Sequence, residues 1–451
     1  MLICGQLMLP DTDQRVRLSP GSLRIEGQRI VEVMEGEVLP AADLGGPDAI
    51  ICPGFIDAHV HLPQFGIVGA QGLALMDWLE QVTLPAERRW ADSAVARADT
   101  GQAIGRMLAH GTTGFAAYTT VHAQSTAGAI DVARQAGVRA WIGQALMDRP
   151  LPPEALPDLP PDSSPDLLSE ATTASGQASA RLWRPTQQLI DETAELLTHY
   201  PAGGRVAAAV TPRFAPGCSM ELMQGVAALA HEHEALIQTH LAETQHESRL
   251  VAELFDGPRY AEVYKVAGLL GRRSVLGHGV HLEAQDHALL AHAGSVIAHC
   301  PTANRFLMSG EMDWWATRQA DVRIALGSDI GAGYAVSMVH VARAMIETAM
   351  GLKARSADRP EESVPRAAHA WWQITAGNAD ALNWPDAGQL MAGNLADLVI
   401  LDPAQGAWGP VPSLIHDPLG ALLWNWDARW IRHIVLCGEI RPFESGRGGL
   451  A

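Results

Sequence analysis

The sequence predicts an α/β chain folded around a (β/α)₈ barrel, and three observations point there. Eight short apolar runs alternate with longer helix-compatible stretches: Gly54–His61, Thr112–Tyr118, Arg139–Met147, Arg205–Arg213, Ala235–Leu241, Ser274–His281, Gly294–Cys300 and Arg323–Asp329. At 451 residues the chain is long enough for a barrel with additional structure. Several of the runs end on a histidine or an acid, and the C-terminal ends of barrel strands are where catalytic groups sit.

Each end of the chain has a different texture. Met1–Leu9, Arg15–Ile25 and Arg29–Val33 are strand-like runs separated by turn residues, and Asp397–Leu401 and Ile431–Arg441 repeat the pattern at the other end. One segment interrupts the βα rhythm. Residues 148–177, after the third run, carry Pro150, Pro152, Pro153, Pro157, Pro160, Pro161 and Pro165. They read as a surface insertion, or as a lid or subunit contact at the barrel mouth.

Composition excludes some functions. The formal net charge of −18 argues against a phosphate-backbone partner, so no nucleic acid is expected. No apolar stretch approaches the roughly 20 residues of a membrane span, and no basic, then apolar leader opens the chain. A cytoplasmic protein without a membrane role is expected. Cys4, Cys52, Cys218, Cys300 and Cys437 are five scattered cysteines with no C-x-x-C pair, so they read as reduced thiols rather than disulfides or thiolate ligands.

The chemistry lies at the strand ends. The first run closes Asp57-Ala58-His59-Val60-His61, and side-chain alternation along a strand puts His59 and His61 on one side, able to share a metal ion. The fifth closes Thr239-His240-Leu241-Ala242-Glu243, the sixth Gly277-His278-Gly279, and the eighth Gly327-Ser328-Asp329. A barrel gathers these ends into one ring. His59, His61, His240 and Asp329 form a donor set suited to Zn²⁺, with Fe²⁺ the less favoured ion. A position left open for water fits hydrolysis. His281 reads as a structural hydrogen-bonding residue. His299 reads equally as support or as part of the site, and Trp314 and Trp315 as core or subunit contact.

With these residues in hand, Pro53 to His61, Thr-His-x-x-Glu at 239–243, the His-Gly at 278 and the Gly-Ser-Asp at 327–329 together resemble the amidohydrolase superfamily. That resemblance implies a barrel beside a small β-sandwich assembled from both chain ends, with residues 1–52 and 393–445 in the sandwich and 53–392 in the catalytic barrel. Further segments are similar to the guanine deaminase family: His61-Leu62-Pro63-Gln64, Asp77-Trp78-Leu79 through Pro85-Ala86-Glu87, Thr211-Pro212-Arg213-Phe214, His299-Cys300-Pro301 with Asn304 and Ser309-Gly310, and Gly331 to Tyr334. Only Lys265 and Lys353 are lysines, and neither closes a predicted strand, so one metal per chain is expected rather than a lysine-bridged pair.

The resemblance implies hydrolysis of guanine to xanthine and ammonia, with Glu243, His278 and Asp329 catalytic. It implies a small-molecule substrate contacted by Gln64, Trp78, Arg213 and Phe214, and a homodimer. Another aminated heterocycle (8-oxoguanine, a pterin or a triazine) is the alternative substrate, and a non-catalytic scaffold the alternative of another class.

Overall fold

The computed structural model describes residues 1–73, 75–150, 182–356, 358–403 and 417–441. Most of the proline-rich 148–177 insertion lies outside them. Two sheets organise the chain. The first has seven strands, β1 (Leu2–Asp11), β2 (Arg15–Glu26), β3 (Arg29–Glu35), β4 (Leu44–Pro53), β13 (Leu398–Leu401), β14 (Ile431–Leu436) and β15 (Glu439–Arg441), in the order β15-β14-β13-β4-β1-β2-β3. All neighbours are antiparallel except β1 and β4. The chain ends therefore meet directly: Val399 of β13 pairs with Cys52 of β4.

Strand β4 was not among the expected runs. Its first half, Leu44-Gly45-Gly46-Pro47-Asp48, has the composition of a turn, and Gly45 and Gly46 both adopt positive φ where the β1–β4 register shifts. A glycine is required at 45, because a Cβ there would lie 2.0 Å from the Cys4 carbonyl oxygen.

The second sheet is the eight-stranded parallel barrel, β5 (Phe55–His61), β6 (Thr112–Tyr118), β7 (Arg139–Leu146), β8 (Val206–Pro212), β9 (Ile237–Leu241), β10 (Ser274–His278), β11 (Val296–His299) and β12 (Arg323–Leu326), paired in sequence order. Nearly every residue of these strands is buried, as expected where helices cover a parallel sheet. The helices carry readable punctuation. Asp92 caps Ser93–Ala109 by accepting from Ala94 N, and Gly137 and Gly294 close Ala123–Ala136 and Ala284–Ala293 in the left-handed conformation.

Several strands stop short of the expected runs. β10 ends at His278 rather than His281, where the positive φ of His278 turns the chain out of the ladder, and β12 ends at Leu326 rather than Asp329, which also adopts positive φ.

β5 and β12 meet across the last seam. At the mouth, Asp329 N donates to His59 O (2.9 Å) and His61 N to Ile330 O (3.0 Å). Deeper, the Asn378 side chain donates to Ile56 O (2.7 Å) and Leu326 O (2.8 Å) and accepts from Leu326 N (2.9 Å). One amide thus satisfies backbone groups of both strands.

The N-terminal end of the barrel is filled by an apolar cluster that includes Ile56, Ala58, Trp141, Leu236, Val275 and Val296, continued by Leu382 and Trp384. Trp141 Nε1 donates to Leu382 O at 3.0 Å, so its polar atom is satisfied. Among the described residues no helix is long and apolar enough to cross a membrane. All five cysteines are free, four of them buried and Cys437 half-buried.

Candidate active site

The strand-end residues converge at the C-terminal mouth. His59 and His61 come from β5, His240 from β9, His278 from β10 and Asp329 from just beyond β12. Room for the His59 ring is made by two glycines: a Cβ at Gly327 would come within 2.5 Å of His59 Cβ, and one at Gly277 within 2.9 Å of its Cε1. That is the physical content of the Gly-His and Gly-Ser-Asp motifs. Asp57 ties the two ligand-bearing strands together, its Oδ1 accepting from His59 N (3.2 Å) and Ser328 N (2.9 Å). Burial pushes its carboxyl up to about 7 against those bonds.

One ligand atom from each of His59, His61, His240 and Asp329 lies within 4.8 Å of all the others, and all four residues are buried. The donor chemistry fits a cation. His240 Nδ1 faces the Arg213 carbonyl at 2.6 Å and must donate to it, which leaves Nε2 a bare lone pair. That Nε2 lies 3.2 Å from His61 Nε2. Asp329 Oδ1 is 3.1 Å from His61 Nε2 and 3.4 Å from His59 Nε2. Both ring nitrogens of His59 are buried without a hydrogen-bond partner among the described residues. Buried acceptors facing one another are costly unless a positive charge joins them. Burial depresses His59 to about 4 and His240 well below the ordinary imidazole range, keeping both rings in the neutral, metal-binding form. Asp329 moves the other way from most buried acids: burial opposes ionisation, but the His59 and His61 rings beside its carboxylate, with His278, hold it far below the usual range.

Beside this quartet stand two groups suited to moving protons. Burial pushes the Glu243 carboxyl up to about 7; His278 pulls it back, Asp329 and Glu247 add to the rise, and the 2.8 Å bond from Ser309 Oγ again opposes it. His278 Nε2 lies 3.4 Å from Glu243 Oε2 and 3.8 Å from Asp329 Oδ2, while its Nδ1 meets Asn304 Oδ1 at 2.8 Å. Burial lowers the basicity of His278, but the two carboxylates outweigh it and the net shift is upward. Glu243 precedes the helix Gln245–Leu254, whose capping box, Thr244 with Glu247, also receives the Glu243 N–H at 2.9 Å.

A cleft with about 420 Å³ of empty volume opens onto these residues. Its walls include Gln64, Trp78, Arg213 and Phe214, together with Leu75, Leu79, Leu307 and Ala332. Every substrate-contact residue named from the sequence therefore faces the same cleft as His61, His240, Glu243, His278 and Asp329. The Trp78 indole N–H is buried with no partner among the described residues.

The two open histidines separate. His281 Nε2 bonds Ser309 O at 2.7 Å, a structural role. His299 is buried with both nitrogens unpartnered among the described residues and lines another cavity, with about 500 Å³ of empty volume. Burial drives it to about 3, so it is neutral. Trp314 is buried in the main core. Lys265 lies on the helix Tyr260–Val266 and Lys353 pairs with Glu361, so neither bridges metals at the mouth.

Four side chains escaped the sequence reading. Glu87, inside the quoted Pro-Ala-Glu segment but given no role, pairs in the interior with Arg213 at 2.6 Å and accepts from Gln64 at 3.0 Å. Asn304 and Ser309 were noted only as motif letters, yet they hold His278 and Glu243. Glu247 had a usable signal, the Thr-x-x-Glu spacing of a capping box.

The amidohydrolase family model matches residues 50–441. Guanine deaminase of Dictyostelium discoideum is 33% identical over 366 residues, 80% of this chain and 74% of that protein. Among solved structures, E. coli guanine deaminase superposes with a TM-score of 0.83 at 28% identity, covering 97% of this chain and 98% of that one. The guanine deaminase of C. acetobutylicum with guanine bound in the active site shares the fold at TM-score 0.83 and 24% identity, covering 97% and 99%.

Proposed function

Because this chain belongs to the amidohydrolase family, we propose that it removes the amino group of guanine hydrolytically, consuming one water and releasing xanthine and ammonia. The observation that carries the reading is the content of one cleft: a four-residue cation site, a proton-holding Glu243, and a buried guanidinium, Arg213, beside an orienting amide, Gln64. Relatives named guanine deaminase, and the guanine held by the C. acetobutylicum protein, support the choice of purine.

His59, His61, His240 and Asp329 would hold one divalent ion, zinc in this reading, which when bound supplies Lewis-acid activation of water near neutral pH. The chain's own groups do the rest. Asp329, ionised despite its burial, accepts a proton from the attacking water. His278, between Glu243 and Asp329, fixes the attacking oxygen by hydrogen bonding. Glu243 carries a proton near neutral pH and delivers it to the ring nitrogen beside the attacked carbon; the proton that Asp329 took from water then goes to the departing amine, and the new hydroxyl's proton returns to Glu243 as the carbonyl forms. Arg213 presents donors only and so reads the O6 and N7 acceptors of guanine. Trp78 and Phe214 wall the ring, and Leu75, Leu79 and Leu307 exclude water from it.

Ammonia release measured on guanine, adenine, 8-oxoguanine, a pterin and a triazine tests the assignment. Guanine should be turned over, and adenine, with an amine donor where Arg213 requires an acceptor, disfavoured by about 10⁴-fold or more. Arg213→Ala at matched metal content should cost roughly 2–5 kcal/mol in kcat/KM for guanine. A fully metallated enzyme that prefers another of these substrates would overturn the reading.

A further inference from the structure

We propose that Glu87 is a positioning residue that sets the hydrogen-bonding polarity of the purine-reading wall; the identity of what is read rests on the guanine assignment above. Glu87 is 1% exposed, on the short helix Leu84–Arg88. It stands behind the cleft rather than in its wall. Its two carboxylate oxygens are divided between two side chains that do line the cleft: Oε1 accepts from Gln64 Nε2 at 3.0 Å, and Oε2 from Arg213 Nη1 at 2.6 Å. Its backbone is held as well, the carbonyl accepting from Thr120 Oγ1 at 3.2 Å.

The consequence follows from what each group can do. A carboxylate only accepts, so Gln64 must turn its NH₂ end toward Glu87. On its other side, Gln64 Oε1 accepts from the Gly331 N–H at 3.0 Å, which only an oxygen can do. Both neighbours demand the same orientation, and the flipped amide would set donor against donor at Gly331 and leave Glu87 Oε1 unpartnered. Arg213 is constrained in parallel. With one corner of the guanidinium fork engaged by Glu87, the plane of its other N–H groups is fixed, and a full negative charge balances it in a site buried from water. A neutral heterocycle thus meets oriented donors without meeting uncompensated charge.

Glu87→Gln keeps the shape but offers one acceptor to two donors, so Gln64 and Arg213 cannot both be satisfied. Kinetics on guanine and on 2,6-diaminopurine, which keeps the 2-amino group and replaces O6 by an amine donor, read the effect, with zinc per chain measured alongside. We expect KM for guanine to rise about tenfold or more with kcat within about threefold, and the preference for guanine over 2,6-diaminopurine to fall by a similar factor, at unchanged zinc content. An unchanged preference, or a kcat loss equal on both substrates, overturns the proposal and leaves Glu87 a packing residue. The exchanged pair Gln64→Glu with Glu87→Gln restores a donor opposite an acceptor at each contact. It should recover the thermal stability lost in Glu87→Gln but not the guanine preference, and failure to recover stability also overturns the proposal. If Glu87→Gln proves insoluble, Glu87→Asp, which retains both acceptors one methylene shorter, is measured for the same KM rise and loss of preference. Wild-type protein that ignores guanine but deaminates 8-oxoguanine, a pterin or a triazine would sink the substrate assignment alone. In that case the KM rise in Glu87→Gln is read on that compound.

Discussion

At the N-terminal end of the eight barrel strands the interior holds alanines, valines and two tryptophans; the C-terminal end gathers His59, His61, His240, His278, Glu243 and Asp329. At the apolar end Trp141 bonds Leu382 O, and Arg139 pairs with Asp386 and lies 5.1 Å over the Trp384 ring. At the polar end His59 and Trp78 keep buried nitrogens without hydrogen-bond partners among the described residues. Backbone strain divides the same way. Ala242, His278 and Asp329 adopt positive φ while buried at the mouth, whereas Glu234 and Asp321, at the other end, do so in exposed turns. Such conformations cost roughly 1–3 kcal/mol each in a non-glycine residue. One set of strands therefore carries stability at one end and spends it at the other, and substitutions at the two ends should have separable effects.

The sharpest contrast is expected from removing the cation. Chelation should abolish turnover and lower Tm, and added zinc should restore both, since four buried donors lose the charge that joins them. Metal analysis finding two ions per active chain would break the picture of one quartet. Next in size, Trp384→Ala should cost about 3–5 kcal/mol in denaturant unfolding while leaving kcat per folded molecule unchanged. A loss of kcat there would show that the two ends are coupled. Glu243→Gln should do the reverse, lowering kcat on the order of 10²-fold or more with metal retained and Tm little changed. Loss of metal in that variant would make Glu243 a ligand rather than a proton carrier. Smallest, Ser309→Ala removes one neutral donor from Glu243 and should shift unfolding by about 1 kcal/mol.

The two ends also differed in how plainly they could be read from sequence. Barrel strands and metal donors announce themselves locally: an apolar run, a histidine pair two residues apart, a glycine beside a ligand. The groups that hold those donors carry no such signature. Glu87 is one acid in a helix, 23 residues from Gln64 and 126 from Arg213, and Asn378 reaches backbone 322 and 52 residues away. Pairings over such distances leave no period in the chain. Strand β4 was hidden for another reason, since a glycine bulge gives half of it the composition of a turn.

The Asn378 clamp has a consequence in time as well as in space. The chain is synthesised from its N-terminus, so β5, with His59 and His61, emerges long before Asp329, and the Asp57 bond to Ser328 must wait for a partner 271 residues downstream. Until residue 378 has left the ribosome, the deeper half of the seam between the first and last barrel strands lacks the amide that bridges Ile56 and Leu326. The donors that arrive first and last in translation are also those that share the metal site. A nascent chain cut short of Asn378 can therefore contain every ligand, and the bonds at the mouth, and still lack the clamp beneath them.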